Sequence, residues 1–239
     1  MCDGCRMHST PICQAVLSDI RSAVEIHFRM RLGLLSFPQL YEWSGRPSSR
    51  VSFQIVRWSA RPGCLTLNTD GCSKGNPGCS GGGGILRDAS GGPILAFSAF
   101  FGIRSSLHAE ALAMLTGLRL CAKLGFVQVD LQSDSQVLVG IIQRRFRCPW
   151  QIRTEIEQIW DLTAAVVSVC HCYREANRVA DILANVGVSH PQQGCIMYDS
   201  TSIIPKLAKG EIRLDKLGMS SVRRIVREAE QPDRMGDIL

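Results

Sequence analysis

From Leu65 the chain alternates. Leu65, Leu67 and Thr69 interleave with Thr66, Asn68 and Asp70, the period of two that marks a strand. The runs GGGGILRD and GPILAFSAFF, parted by the turn DASGG, predict a second and a third strand. At Ser106 the period changes: Ala111, Leu115, Leu118 and Ala122 recur at helical spacing and predict a helix from about Ser106 to Leu124. Ser105 or Ser106 would cap it and Gly125 would end it. Val127, Val129 and Leu131 restore the alternation for a fourth strand, and SQVLVGIIQRR follows as a short helix. Ile152, Ile156, Ile159 and Thr163 predict a further helix, VVSVCHCY a short fifth strand, and REANRVADILANVG a last helix with Ala176, Val179, Leu183 and Val186 on its core side. Such an order predicts an α/β domain of the mixed α+β kind over residues 64–187: a five-stranded mixed sheet, its first three strands antiparallel, flanked by helices.

Flanking segments follow the pattern less well. Residues 1–63 read as an N-terminal extension, with Val16, Ile20, Val24 and Phe28 at helical spacing within 14–35 before Pro, Gly and Ser break the run. Cys2, Cys5, His8 and Cys13 offer thiolate and imidazole donors able to hold zinc, as the remnant of a zinc-containing region or an accidental cluster. Residues 188–239 read as a C-terminal tail, in which SSVRRIVREAEQ suggests a basic helix.

A net charge of +6 over 239 residues permits a polyanionic partner, and it is uneven: residues 1–63 carry eight Arg against four acids. No apolar run approaches membrane-spanning length and no basic start precedes one. The expectation is a nuclear or cytoplasmic chain, not secreted and without membrane contact, a monomer whose eleven cysteines are mostly thiols.

The chemistry lies in carboxylates. Asp70 falls near the end of the first strand of the domain, Glu110 in the first turns of its helix, Asp134 where the fourth strand meets the next helix, and Asp181 well inside the last helix. Asp134 could merely cap a helix, a part Ser133 or Ser135 could fill equally. Asp181 sits between Ala180 and Ile182, so either it faces water or the site needs its charge. Four gathered carboxylates repel and raise one another's pKa values unless cations neutralise them, and hard oxygen donors suit Mg2+ or Mn2+.

The surroundings of these acids, NTDG-x-SKGNPG, HAEALAML, SDSQ and REANRVADILAN, resemble the type 1 ribonuclease H family, and more closely the ribonuclease-H-like domain of plant non-LTR retroelement polyproteins. The resemblance covers about residues 64–187, and MYDSTSIIPKLAKGEIRLDKLG looks like the segment that follows the domain in those polyproteins. It implies a ribonuclease-H-like fold, with Asp70, Glu110, Asp134 and Asp181 binding two Mg2+ ions, Mn2+ serving as well. The implied activity is hydrolysis of the RNA strand of an RNA–DNA hybrid, with a weak or inactive nucleic-acid-binding remnant as the alternative. His171 would match a mobile histidine that assists proton transfer or product release, although its strand-like context VCHCY equally suits a structural histidine. Gly71, Ser73 and Asn76 fall in the first loop, which senses 2′-hydroxyls in related enzymes. The glycines at 81–84 would border it, or else form a bulged or twisted strand. Arg144, Arg145 and Arg147, interleaved with Phe146 and near Trp150, suit contacts to a phosphate backbone or a solvated corner.

Overall fold

The computed structural model describes residues 50–163, 166–199 and 203–227, together with Ser18. Cys2, Cys5, His8 and Cys13, and all but Ser18 of the helix expected at 14–35, lie outside the described residues. The chain divides into two compact units, Phe53–Arg223 and, separately, Met1–Ser52 with Arg224–Leu239. The main sheet, its helices and the candidate site belong to the first. Strands β1 (Arg50–Val56) and β8 (Ser221–Arg227) form a two-stranded sheet apart from it.

Three antiparallel strands build the middle of the main sheet: β2 (Leu65–Gly75), β3 (Gly78–Arg87) and β4 (Pro93–Arg104). Helix α1 (Ser106–Lys123) follows and starts as its sequence dictates, with Ser105 Oγ accepting from the His108 N–H at 3.4 Å. Next come β5 (Val129–Ser133), α2 (Gln136–Ile142), α3 (Arg153–Leu162), β6 (Val166–His171) and α4 (Arg178–Ser189). Strands β5 and β6 run parallel to β2.

The expected strand count needs correction: the sheet has six strands, in the order β6-β5-β2-β3-β4-β7, not five. The sixth, β7 (Cys195–Tyr198), lies beyond the expected boundary at residue 187 and pairs antiparallel with Ala96–Ala99 of β4. Four residues are too few to display a period of two. Its stabilisation comes from covering the open edge of β4, a row of backbone groups that needs partners. A second correction concerns SSVRRIVREAEQ, whose described part is strand β8 and not a helix.

The glycine run lies in β3, with a register shift against β4 at Ser80/Gly81. A Cβ on Gly83 would stand 2.3 Å from the Ala184 nitrogen of α4, and one on Gly82 would stand 2.6 Å from Ala113 Cβ of α1. Neighbouring strand residues point to opposite faces. The two helices therefore press on opposite sides of β3, and bare backbone is what lets both come close. Packing and a bulge account for this run, the second of the two expectations for it.

Each face has its own core. Leu67, Leu86, Met114, Leu118, Leu131 and Ile156 join β2, β3 and β5 to α1 and α3. On the other side Ile85, Val179 and Leu183 pack with Tyr198, Ile204, Ala208 and Ile212, the last two from α5 (Lys206–Lys216). No helix among the described residues is long and apolar enough to cross a membrane.

Candidate active site

The parallel pairing of β2 with β5 ends at Thr69 opposite Ser133. Asp70 and Asp134 are the next residues on each chain, so the register alone brings them together beyond the carboxyl end of β5. Crevices at such strand ends are where open α/β sheets hold ligands. Asp134 is free for this because Ser135 caps α2, its Oγ accepting from the Leu138 N–H at 3.4 Å. Glu110 arrives from α1, which can pass close only because residue 71 is glycine. A Cβ there would lie 2.2 Å from the Ala109 carbonyl carbon and from the Glu110 nitrogen. The Gly71 N–H then donates to Glu110 Oε2 at 3.2 Å. One oxygen each of Asp70, Glu110 and Asp134 lies within 4.8 Å of the others.

Asp181 stands beside this group, its Oδ1 3.3 Å from Arg174 Nη2 and within 3.4 Å of Asn185 Nδ2. Burial, then the charges of Asp134 and Asp181, push the Asp70 carboxyl from an ordinary 3.8 up to about 8. Glu110 is driven well above its usual range by burial and by Asp70 and Asp134, against which the Gly71 amide works. Buried carboxylates that raise one another in this way are relieved by a cation. An all-oxygen donor set of hard carboxylates suits Mg2+ or Mn2+, so the three residues fit one such ion.

The remaining expected residues are dispersed. His171 closes β6 opposite Ser133, with its ring edge-on to Tyr173 at 5.6 Å between centroids. Ser73 Oγ lies 2.6 Å from the Gly75 carbonyl oxygen and 2.8 Å from that of Arg104, so its hydroxyl is engaged by the turn and by the end of β4. Asn76 Oδ1 accepts from the Ser106 N–H at 3.0 Å and ties the β2–β3 turn to the start of α1. Arg144, Arg145 and Arg147 are exposed. Arg144 lies over the Trp160 ring at 4.4 Å and Arg145 faces Phe146 at 6.0 Å, while Trp150 is 81% exposed.

The family model described as "Reverse transcriptase-like" matches residues 68–187, half of the chain. The chain belongs to this family. A protein of Arabidopsis thaliana named "Putative ribonuclease H protein" is 32% identical over 183 residues, 76% of this chain but 29% of its own length. Ribonuclease HI of Halobacterium salinarum is 28% identical over 132 residues, 52% of this chain and 64% of its own. This chain thus spans less than two thirds of either curated relative. The crystal structure of the Halobacterium salinarum RNase H1 superposes with a TM-score of 0.50 at 27% identity, covering 53% of this chain and 98% of that one. LC11-RNase H1, solved in complex with an RNA/DNA hybrid, reaches 0.50 at 24% identity over 52% of this chain and 96% of its own. The fold is ribonuclease-H-like, and the chain is homologous to the type 1 ribonucleases H.

In this reverse-transcriptase-like chain the sequence reading missed the residues around the acids. Arg174 pairs with Asp181, and Asn177 donates from Nδ2 to Asp134 Oδ1 at 3.2 Å. Asn177 stands where a helix cap is expected, yet it makes no capping bond and is 1% exposed. Its signal was an asparagine opening a helix, which reads as a cap until the tertiary structure turns it inward. A groove of about 310 Å³ is lined by Asp181 together with Arg174, Glu175, Arg178, Ile182 and Glu211.

Proposed function

We propose that this chain is a divalent-metal-dependent endonuclease, acting in the nucleus or cytoplasm on the RNA strand of RNA–DNA hybrids. The carrying observation is the convergence of Asp70, Glu110 and Asp134 within 4.8 Å, on a fold homologous to type 1 ribonucleases H. Asp181 joins them as a fourth carboxylate, and the four would hold two Mg2+ ions, or Mn2+ in their place. When bound, such ions activate water for in-line attack on a phosphodiester and stabilise the leaving oxygen. Asp70, on rigid strand backbone, and Asp134 set the shape of the site, and the Gly71 amide aims Glu110 into it. His171 takes an auxiliary part in proton transfer or product release.

The hybrid is held at two places. Gly71, Ser73 and Asn76, at and near the β2–β3 turn, are assigned to sensing 2′-hydroxyls, the feature that separates RNA from DNA. Arg144, Arg145 and Arg147 offer exposed guanidinium groups to the phosphates. Residues 64–187 carry the chemistry between an N-terminal extension and a C-terminal segment, and the chain derives from a plant non-LTR retroelement, a reading supported by the REANRVADILAN block and the segment after it.

The test uses labelled RNA–DNA hybrid, duplex DNA and duplex RNA, each incubated in Mg2+, Mn2+ or chelator with the protein and with Asp70→Asn. Metal-dependent cleavage confined to the RNA of the hybrid, and lost in the variant, is the expected result. Binding without cleavage in every metal would overturn the enzyme and leave a nucleic-acid-binding role.

A further inference from the structure

A chain of buried and half-buried hydrogen bonds leads from helix α5 to the candidate metal site. Arg87, 0% exposed at the end of β3, donates Nη1 to Asp215 Oδ2 at 2.6 Å and Nη2 to Asn68 Oδ1 at 2.7 Å. Its guanidinium lies over the Trp58 ring at 3.9 Å, and Trp58 Nε1 donates to the same Asn68 oxygen at 3.0 Å. Guanidinium and indole N–H groups can only donate. Asn68 must therefore turn its oxygen toward them and its NH2 away, where it donates to Gln132 Oε1 at 3.1 Å and to Asn177 Oδ1 at 3.2 Å. Asn177 is oriented in turn. Its NH2 donates to the Thr69 carbonyl at 3.0 Å and to Asp134 Oδ1 at 3.2 Å.

Carboxamide oxygen and nitrogen are ordinarily interchangeable in a structure. Here both ends of the series are obligate: donors only at Trp58 and Arg87, acceptors only at Thr69 and Asp134. One polarity satisfies every member, and reversing it would set N–H against N–H at Arg87 and oxygen against carboxylate at Asp134.

We infer that the Arg87–Asp215 pair, together with Trp58, holds the Asn68 carboxamide in place, and that Asn177, locked between Asn68 and the Thr69 and Asp134 acceptors, is a positioning residue, holding the Asp134 carboxylate for the divalent cation. Its consequence for metal binding rests on the reading of Asp70, Glu110 and Asp134 as a metal site; the polarity itself does not. Helix α5 thus belongs to the functional machinery although it touches none of the reacting groups. Partners that orient a metal ligand through hydrogen bonds typically change metal affinity about 10–100-fold when removed.

Two measurements test it on the full chain. In metal-free protein, the side-chain NH2 resonances of Asn68 and Asn177 are followed by 15N NMR in wild type, Asp215→Asn, and the double variant Arg87→Met/Asp215→Leu. The double variant removes the cation and leaves no buried charge unpaired. Mn2+ affinity is measured by calorimetry in the same proteins and in Asn177→Ala, each shown to keep a native circular dichroism spectrum. The expected result is displaced Asn177 NH2 resonances in the double variant and Mn2+ binding weakened about tenfold in Asn177→Ala. Unmoved Asn177 resonances in both Asp215 variants, or Mn2+ affinity in Asn177→Ala within twofold of wild type, would overturn it. Should wild type itself take up no Mn2+, the metal-site reading fails, and the metal-free resonances alone decide the polarity.

Discussion

Replacing Asp70 with Asn should stabilise the metal-free protein while destroying its response to divalent metal. Asp70 is 6% exposed, and burial with the charges of Asp134 and Asp181 lifts its carboxyl from 3.8 to about 8. The folded chain therefore holds a proton through a window, from about pH 4 to pH 8, in which the unfolded chain has released it. A group raised in this direction favours folding below the window and loses that favour as pH rises through it. At about 1.4 kcal/mol per unit the displacement has a ceiling of ~6 kcal/mol at pH 8, of which water entry and relaxation of neighbours should leave ~3 kcal/mol. For a domain of this size that corresponds to a melting temperature about 6–12 °C higher in Asp70→Asn at pH 8, and a clearly smaller gain at pH 5. Scanning calorimetry in chelator at the two pH values measures both. Mg2+ or Mn2+ should then raise the wild-type melting temperature at pH 8 and leave the variant where it was. A variant that melts at or below wild type in chelator at pH 8, or a gain equal at both pH values, would refute the argument that repulsion among buried carboxylates strains the empty site.

Three further outcomes follow from the packing. Gly71→Ala would set a Cβ 2.2 Å from the backbone of α1, so denaturant unfolding should show a loss of more than about 2 kcal/mol and metal titration a weakened site; a variant as stable as wild type would show that α1 can retreat. Asp215→Ala leaves the fully buried Arg87 without its carboxylate and should cost about 3–5 kcal/mol by urea unfolding, most of it recovered in Arg87→Met/Asp215→Leu. Changing Arg144, Arg145 and Arg147 together to Gln should weaken hybrid binding and reduce the slope of log affinity against log salt by about 2–3, and an unchanged slope removes this corner from the interface.

The legible parts of the fold are those whose signal is local. Helix α1 starts at Ser106, where Ser105 caps it, and ends at Lys123, one residue short of the expected Leu124, with Gly125 at positive φ just beyond. The alternation of Leu65 to Asp70 marks β2, and the four acids stand out because mid-helix and strand-end carboxylates are poorly explained by local preference. Strand β7 was not legible: CIMY acquires its pairing from the edge of β4, about a hundred residues earlier in the chain. For β8, two adjacent arginines in SVRRIVR blur any period, and the partner strand β1 decides its conformation.

Residue identity and spacing, then, determined the order of strands and helices and which carboxylates were candidates, since periods of 2 and 3.6 residues and caps are properties of neighbouring residues. Tertiary structure alone decided which of them meet. The ending of the β2–β5 register at Thr69 and Ser133 sets Asp70 beside Asp134, and the close pass of α1 over Gly71 adds Glu110. It also gave Arg87, a charged strand-end residue next to a turn in the sequence, a carboxylate 128 positions away on α5. A buried cation needs such a partner, and the partner's location follows from how the layers pack, which no local pattern records.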